Sequence, residues 1–387
     1  MKKVVQLFCA VLLFSTAAEA QLDSLPWKLT IWGQHRSNTL DHELGKLFIQ
    51  GGHIDRTLVE EARTAQGADR GAFGFVAGAD WKWSSYRQWK DTDLRLCGSV
   101  QGKWLGDIRW TPELFDLLFM GNGGHLGRWD VLDGSRIRTT GWVNASIGLE
   151  GKNQNRIEWG VVCNPRHFDA QIRNGQFYVD ESIDSLIGYI RADVDVAQKM
   201  GWGTAINAEW HFLRAEAPFA FHIRLQNLGV VLSPELATVS VDTLVETSGL
   251  TFTGNDLSLE AIQSDAFGEG IVHSDTARWR PRGLPARLDA SMEYPLGPRS
   301  GWDFQVQLGE WMPLPQAITG YRRAIGKNWQ TGVQLIAGGW GRLRPAAWAR
   351  WRKPGHHGWV FYIEDPFGWG SNSAYGRGLT VQFQNLK

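Results

Sequence analysis

Most of the chain alternates apolar and polar residues with a period of two. The segment 302–308 places Trp, Phe, Val and Leu on one face and Asp and two Gln on the other. The segments 190–196, 206–212, 219–226 and 286–294 alternate in the same way. Because successive side chains of a β-strand point to opposite faces, each segment is predicted to be a strand with one apolar and one polar face.

The length of these segments and their aromatic ends predict a membrane-spanning sheet. Several run for about 9–11 residues, the length with which a tilted strand crosses a bilayer. Many end in an aromatic residue, among them Trp83, Trp104, Phe212 and Tyr294, as expected for interfacial girdles. A bilayer admits no unpaired sheet edge, so such strands must close. We therefore predict an all-β fold, a transmembrane antiparallel β-barrel of about fourteen strands (about twelve to sixteen), with a soluble exported all-β protein as the alternative.

The connections between the predicted strands set the orientation of the barrel. An even number of strands places both termini in the periplasm. In this count the connections 105–137 and 165–184 fall on the periplasmic side despite their length, whereas 229–285 falls outside. The pair Asn174-Gly175 is a strong hairpin signal, and a hairpin there would give sixteen strands. The strands are predicted at residues 72–83, 94–104, 140–150, 156–164, 185–196, 203–213, 218–228, 286–294, 301–309, 316–325, 330–339, 345–352, 358–364 and 376–385.

Two stretches, Ser37–Gln66 and Pro112–Met120, have helical rather than alternating patterns. In the first, large apolar residues recur on one side of the helix. We expect this stripe to plug the lumen or to cap its periplasmic mouth, packed against the second stretch, because exposing it to water is unfavourable. The residues of this candidate plug are Leu40, Leu44, Leu47 and Phe48.

The beginning of the chain has the form of a secretory signal peptide. Two lysines precede an apolar run from Val4 to about Phe14, and a small-residue cleavage site ends at Ala20. Cleavage after Ala20, and the absence of a later run of about 18 apolar residues, predict export without a helical anchor, which leaves a periplasmic protein, a secreted protein or an outer-membrane barrel. Together with the predicted barrel strands, they favour a location in the outer membrane. The predicted parts of the chain are a signal peptide (1–20), an N-terminal helical segment (21–71) and the barrel (72–387).

Four motifs carry a resemblance to a known family. The first motif is Ser37-Asn38-Thr39 together with residues 47–55. The others are residues 113–123 (ELFDLLFMGNG), residues 249–254, and Leu284-Pro285-Ala286 at the start of a strand. Together they resemble the Bacteroidota outer-membrane barrels that carry a domain of unknown function, in which an N-terminal helical segment and an E/D-L-F-D-L-L-x-x-G-N stretch precede the barrel strands. The resemblance extends from about residue 26 to the end of the chain. It implies an architecture and a location but defines no catalytic residue.

Composition and motifs exclude several classes of function. The chain has 40 basic and 40 acidic residues, so no general attraction to nucleic acid is expected. No G-x-S-x-G or H-E-x-x-H motif occurs, and phosphate-loop and dinucleotide motifs are also missing. We therefore predict neither catalysis nor a cofactor, although Ser146 and Ser291 lie on inward faces. The strand registers point Cys97 into the lumen and Cys163 toward lipid, which favours two unpaired thiols over a disulfide.

The polar faces of the predicted strands give a candidate lumen lining of mixed charge, which argues against strong selectivity for one ion. His211 and His222 lie on facing strands and could form a metal-ligand pair with Glu209, but an ordinary polar lining is the favoured interpretation. Three tryptophans in predicted outer loops, Trp311, Trp340 and Trp369, are open to a binding role. The candidate lining residues are Arg191, Asp193, Glu209, His211, His222, Arg224, Arg287 and Asp289.

These features favour a channel or passive transporter for a small molecule. The alternatives are a non-conducting scaffold in a cell-envelope complex, with 229–285 as its docking surface, and a soluble exported sugar-binding protein. The expected partners are outer-membrane lipid and the barrel-assembly machinery, together with a small-molecule substrate or an envelope-complex protein. No nucleic-acid partner is expected.

Overall fold

The computed structural model describes residues 26–50, 53–88, 92–121, 124–180, 186–197, 199–213, 219–247, 271–353, 357–371 and 374–385, so the predicted signal peptide lies outside the described residues. The strands within these ranges are β1 (Trp27–Ser37), β2 (Gly71–Gln88), β3 (Arg95–Trp110), β4 (Trp129–Val131), β5 (Arg136–Glu150), β6 (Arg156–Val179), β7 (Leu186–Ala197), β8 (Gly201–Leu213), β9 (Ala220–Thr247), β10 (Ile271–Gly283), β11 (Arg287–Gly297), β12 (Ser300–Gly309), β13 (Gln316–Ile325), β14 (Trp329–Gly338), β15 (Arg344–Arg352), β16 (His357–Glu364) and β17 (Gly376–Asn385). The helices are α1 (His42–Gln50), α2 (Arg56–Gln66) and α3 (Pro112–Phe119). None of the helices in the described part of the chain has the length and apolar character needed to span a membrane.

Fourteen strands form a closed antiparallel ring in the order β1-β2-β3-β5-β6-β8-β9, followed by β11 to β17 in sequence. The ring closes because β1 pairs with both β2 and β17: Trp27 lies opposite Trp83 on one side and opposite Asn385 on the other. Every ring strand therefore has a partner on both edges, as a bilayer requires. The predicted barrel and its number of strands are confirmed.

The outer surface of the ring has the pattern of a lipid-facing wall. Outward side chains in the middle of the strands are apolar and exposed, as for Val306 at 44% and Val333 at 61%. Aromatic residues form a row around the end of the barrel at which β1 begins and β17 ends, with Trp359 directly opposite Phe383 and Trp351. An apolar band bordered by aromatic residues is what a transmembrane barrel presents to the bilayer.

The two ends of the barrel differ in the length of their connections. The terminal end, at which β1 begins and β17 ends, carries the short connections 89–94, 151–155, 214–219, 298–299, 326–328 and 353–356. The opposite end, here called the distal end, carries the longer segments 38–70, 111–135, 310–315, 339–343 and 365–375. Short periplasmic turns and long outer loops are the usual arrangement in bacterial barrels.

The wall rises beyond the ring on one side of the distal end. β6 and β9 are long strands, and β8 lies between their ring parts. β7 lies between their distal parts, so it continues the line of β8 beyond the ring. Similarly, β10 continues the line of β11 along β9. We call β7, β10 and the distal parts of β6 and β9 the extension sheet.

The extension sheet corrects the predicted order of strands. The strand predicted at 185–196 is β7, which continues β8 and does not cross the membrane as a separate strand. Its place in the count is taken by β1, whose residues 27–37 lie within the predicted helical segment 21–71. The predicted number of fourteen strands is therefore correct, but the fourteen include β1 and not β7. As a result, the described parts of the connections 105–137 and 165–184 lie at the distal end, whereas the predicted count placed them at the same end as the chain termini.

Asn174 and Gly175 do not form the predicted hairpin, so the sixteen-strand alternative is not realised. Both residues lie within the continuous strand β6, whose register with β7 shifts between Ile172 and Asn174. This part of β6 stays extended because Phe177 and Val179 are buried against Leu132. A β-bulge accommodates the extra residue without reversing the chain.

The helices lie outside the lumen, and this corrects the predicted plug. β1 carries the chain to the distal end before α1 begins, and β2 starts from the same end, where the Asn38 backbone N–H donates to the Ala72 carbonyl at 3.2 Å. Leu40 and Leu44 are buried against Phe73 and Trp110, which share the outward faces of β2 and β3 with the exposed Trp104. Leu47 is half-buried, and the side chain of Phe48 lies outside the described residues.

The predicted contact between the two helical stretches does form. Phe115 of α3 joins Leu44 and Val59 in one buried cluster on the outer wall. The Arg63 guanidinium donates to the Asp116 carboxylate at 2.6 Å and links α2 to α3. At the start of α2, the Asp55 carboxylate accepts a hydrogen bond from the Thr57 backbone N–H, which holds the Asp55 pKa below its usual value.

Candidate functional site

The inner face of the ring holds six of the eight residues predicted to line the lumen. On β8 and β9, Glu209 lies opposite Arg224 and His211 lies opposite His222. Arg287 and Asp289 follow on β11, the next ring strand, with Asp289 opposite Arg224. Alternation along three adjacent strands therefore brings these six side chains together, as the sequence predicted.

Arg191 and Asp193 are the two exceptions, because β7 belongs to the extension sheet. Asp193 accepts hydrogen bonds from the Arg173 guanidinium and the Ser240 hydroxyl, each at 2.8 Å. Partial burial favours the neutral carboxyl group, but these hydrogen bonds and the charges of Arg173 and Arg191 outweigh it and lower the Asp193 pKa. These residues stabilise the sheet beyond the ring and do not line the lumen.

Ion pairs connect opposite sides of the lumen in its terminal half. The Glu209 carboxylate is paired with Lys82 of β2 and with Arg224, whose guanidinium lies 2.9 Å away. Arg224 also lies 3.5 Å from Asp80 of β2. Because β2 and β8 are not neighbours in the ring, these contacts cross the lumen rather than run along its wall.

A second polar group lies beside these pairs and lines a small cavity of about 10 Å³. Glu158 pairs with Arg156 and accepts hydrogen bonds from the Ser99 and Ser146 hydroxyls, each at 2.6 Å. The Ser146 hydroxyl thus contacts a carboxylate and another hydroxyl. The walls of the cavity are almost entirely polar or charged.

The distal half of the lumen is filled by two loops that fold inward. Trp340, in the segment 339–343, is buried among Val76, Leu105 and Trp142, whose side chains point inward from the wall. Its indole N–H donates to the Asp107 carboxylate at 2.6 Å. A Cβ at position 74 would overlap the indole ring, which explains why the wall has a glycine there.

The segment 310–315 forms the other half of this closure. Glu310 pairs with Lys103 on β3, and its carboxylate lies 3.4 Å from Arg287. The next residue, Trp311, lies under the Arg138 guanidinium at 4.4 Å from the ring centroid. We call the segments 310–315 and 339–343 the inward loops.

A buried ion pair at the rim supports the inward loops on the β1 side of the barrel. The Glu364 carboxylate accepts from the Arg36 guanidinium at 2.8 Å and also pairs with Arg344. Arg36 donates in addition to the Gln316 side-chain carbonyl at 2.6 Å, directly after the first inward loop. Two arginines and one carboxylate thus tie β1, β13, β15 and β16 together at the distal end.

Exposure falls along the lumen from the terminal to the distal end. Near the terminal end, the side chain of Glu293 is 55% exposed although it pairs with Arg322. Further along, Lys103 and Glu310 are 2% exposed, and Asp107 is fully buried. The terminal part of the lumen, here called the vestibule, is therefore polar and becomes more exposed toward the terminal end, although ion pairs cross it. The inward loops close the lumen at the distal end.

Sequence reasoning missed the residues that close the lumen. Trp340 and Trp311 were assigned to outer loops, and Glu310 and Lys103 were not singled out. A tryptophan next to Gly338 and Gly339, both with positive φ, marks a sharp turn, but no local pattern shows that the turn points inward. Trp369, in contrast, is half-exposed on the outside, as predicted for a loop.

The cysteines are placed as the alternation predicted. Cys97 is buried on the inward face of β3, and Cys163 lies opposite Trp202 on the outward face. Both are unpaired thiols.

Comparisons with known proteins give structural neighbours only. No family model matches the chain, and no curated protein matches it. Among solved structures, it is similar to a TodX deltaS2S3 mutant described as a monoaromatic hydrocarbon channel, with 7% identity, 94% of this chain and 91% of that chain covered, and a TM-score of 0.43. It is also similar to the toluene transporter TodX of P. putida (7% identity, 94% and 89% covered, TM-score 0.41). A third is the Ralstonia pickettii toluene transporter TbuX (9% identity, 94% and 89% covered, TM-score 0.32). These identities are too low for a ligand to be transferred to this chain.

Proposed function

We propose that this protein is an outer-membrane channel for a small molecule, and that the structure represents its closed state. The observation that carries the proposal is the closure of the distal half of the lumen by two loops, in addition to the ion pairs between wall residues that cross its terminal half. A vestibule lined by both signs of charge leads to a plug built around Trp340 and Trp311. A barrel that served only as an anchor would have no need for a removable closure.

The inward loops can leave the lumen without unpairing any strand of the ring. They connect β12 to β13 and β14 to β15, whose ladder pairing is complete without them. Glu310 and Trp311 have positive φ values of 52° and 64°. For a residue other than glycine, this conformation costs about 1–3 kcal/mol of backbone strain. Release of this strain lowers the cost of withdrawing the first loop.

Conductance in planar bilayers tests the proposal with a matched pair of tryptophan variants. Trp340→Ala removes the plug, and Trp104→Ala removes an outward tryptophan of the same size. We expect small or rare openings for the unmodified protein, larger conductance for Trp340→Ala and a further increase when Trp311→Ala is added. Trp104→Ala should behave as the unmodified protein.

The scaffold alternative is favoured by one observation on the extension sheet. Trp129 and Val131 of β4 and the nearby Leu126 expose large apolar surface away from the lipid-facing band. Such a patch is typical of protein–protein contacts. If the Trp340→Ala, Trp311→Ala double variant inserts normally and never conducts, the channel proposal is wrong and the scaffold becomes the favoured function.

A further inference from the structure

Glu209, His211 and His222 form a group of metal-ligating side chains in the terminal half of the lumen. Glu209 and His211 are two residues apart on β8 and share its inward face, and His222 lies directly opposite His211 on β9. The potential ligand atoms of the three residues all lie within 4.8 Å of one another. We propose that these three residues bind one divalent transition-metal ion of the zinc type.

The histidine pair can share an ion once its rings turn. The two imidazole rings are stacked with their centroids 4.2 Å apart and their planes at 20°, and because the lone pair of a ring nitrogen lies in the plane of its ring, the lone pairs of the stacked rings do not converge. Two nitrogens that bind one zinc ion at about 2.0–2.1 Å lie about 3.3 Å apart in a tetrahedral site, with both lone pairs directed at the ion. Binding therefore requires at least one ring to rotate about its side-chain bonds, while the strand ladder keeps the two backbones opposite each other.

A buried nitrogen without a partner points to a ligand at this position. The Nε2 atom of His222 is buried and has no hydrogen-bond partner among the described residues. The other ring nitrogen lies 3.5 Å from the Ser291 hydroxyl on β11. Leaving a buried ring nitrogen unsatisfied is unfavourable, and coordination of an ion would satisfy it.

The surroundings of Glu209 prepare its carboxylate as the third ligand. Both cations that contact it, Lys82 and Arg224, are recorded at the same oxygen, Oε1. The two cations fix the carboxylate, as residues that surround metal ligands commonly do, and one carboxylate oxygen lies within 4.8 Å of the histidine nitrogens. Two histidines and one glutamate leave a fourth position for water or a solute entering from the vestibule.

Metal titration of the full-length barrel in detergent tests this site directly. Co²⁺ is added to metal-free protein, and its visible absorption reports tetrahedral coordination. We expect one equivalent of Co²⁺ per chain, displaced by Zn²⁺. His211→Gln, His222→Gln and Glu209→Gln should each weaken binding at least tenfold. His167→Gln, which alters a partly buried histidine elsewhere in the barrel, should leave binding unchanged.

A second measurement needs no variant. Zn²⁺ should raise the temperature at which the unmodified barrel loses its heat-modifiable migration on SDS gels, because an ion that binds only the folded state stabilises it. The absence of stoichiometric binding, or binding that survives loss of either histidine, would overturn the proposal. Unchanged affinity in Glu209→Gln would contradict the three-residue site. These results do not depend on whether the barrel conducts.

Discussion

Lys103 on β3 and Glu310 in the first inward loop form an ion pair across the lumen, and each side chain is only 2% exposed. The two residues are far apart in the sequence and meet only because the loop after β12 folds into the barrel. Each charge is stabilised by the other, since burying a single unpaired charge costs several kcal/mol of folding free energy.

Removing one partner of this pair should be far more damaging than removing both. We expect Glu310→Gln to lower the free energy of unfolding by about 3–5 kcal/mol, whereas Lys103→Met combined with Glu310→Gln should recover most of the loss. Urea unfolding of the barrel in lipid vesicles provides the measurement. Equal losses in the single and double variants would show that the charges do not depend on each other.

Arginine substitutions on adjacent residues of β12 test which face meets lipid. Val306 points outward near the middle of the strand, and Gln305 points into the lumen. Val306→Arg should cost about 2–4 kcal/mol because it places a charge in the hydrocarbon region. Gln305→Arg should be tolerated. The folding free energies of the two variants in vesicles give the comparison, and similar losses would contradict the register of β12.

Assembly of the barrel should depend on the outward aromatic residue of the last strand. The Phe383 ring lies 5.1 Å from that of Trp27 and 4.5 Å from that of Trp359. We expect Phe383→Asp to prevent insertion and to leave the chain in the periplasm. Gln382→Asp, which changes the neighbouring inward residue, is the control. Membrane fractionation with heat-modifiable migration detects the difference, and normal membrane levels of Phe383→Asp would refute the prediction.

Removing the helices should not open the lumen. A short glycine-serine linker can replace residues 40–69, because Asn38 and Ala72 are already hydrogen-bonded. We expect a less stable barrel, since Phe73 and Trp110 lose their cover, with about 1.5–3 kcal/mol for each uncovered side chain. Its conductance should equal that of the full chain. A large open pore in this variant would show that the helices, not the inward loops, close the barrel.

Acid should weaken the extension sheet through Asp193. The folded-state pKa of this carboxyl is lowered, so its contribution to stability is present above the unfolded pKa of about 3.9 and is lost as the pH falls through the folded value. The effect should stay below about 1 kcal/mol, because the Arg173 partner is solvent-exposed. Hydrogen exchange of β7 amides from neutral pH downward measures it, and Asp193→Asn should remove this acid dependence.

The alternation of side chains was sufficient to predict the barrel and most of its inner face. Segments such as 302–308 show one apolar and one polar face without ambiguity, and β12 forms where they predict it. The pairing of His211 with His222 followed from the same alternation and a short connection. Local periodicity specifies which face a residue occupies because it depends only on neighbouring residues.

Relationships between distant segments could not be predicted from these patterns. β1 alternates as clearly as other strands, but it is followed by the helical stretch and was grouped with it. β7 also alternates, and only its pairing in line with β8 shows that it is an extension. The inward path of Trp340 depends on contacts with Gly74 and Asp107, which are remote in sequence. Such contacts leave no periodic signal.

The pairing of β1 with β17 makes closure of the barrel in the membrane depend on the strand of the ring that is synthesised last. β1 has one partner, β2, until the final strand has been synthesised and delivered. A chain that lacks the ten residues of β17 would leave the backbone N–H and C=O groups of β1 and β16 facing hydrocarbon, at a cost of several kcal/mol for each unsatisfied group. Truncated products of this gene should therefore be cleared by periplasmic proteases rather than accumulate as leaky pores. Only chains that contain β17 can therefore form a closed barrel.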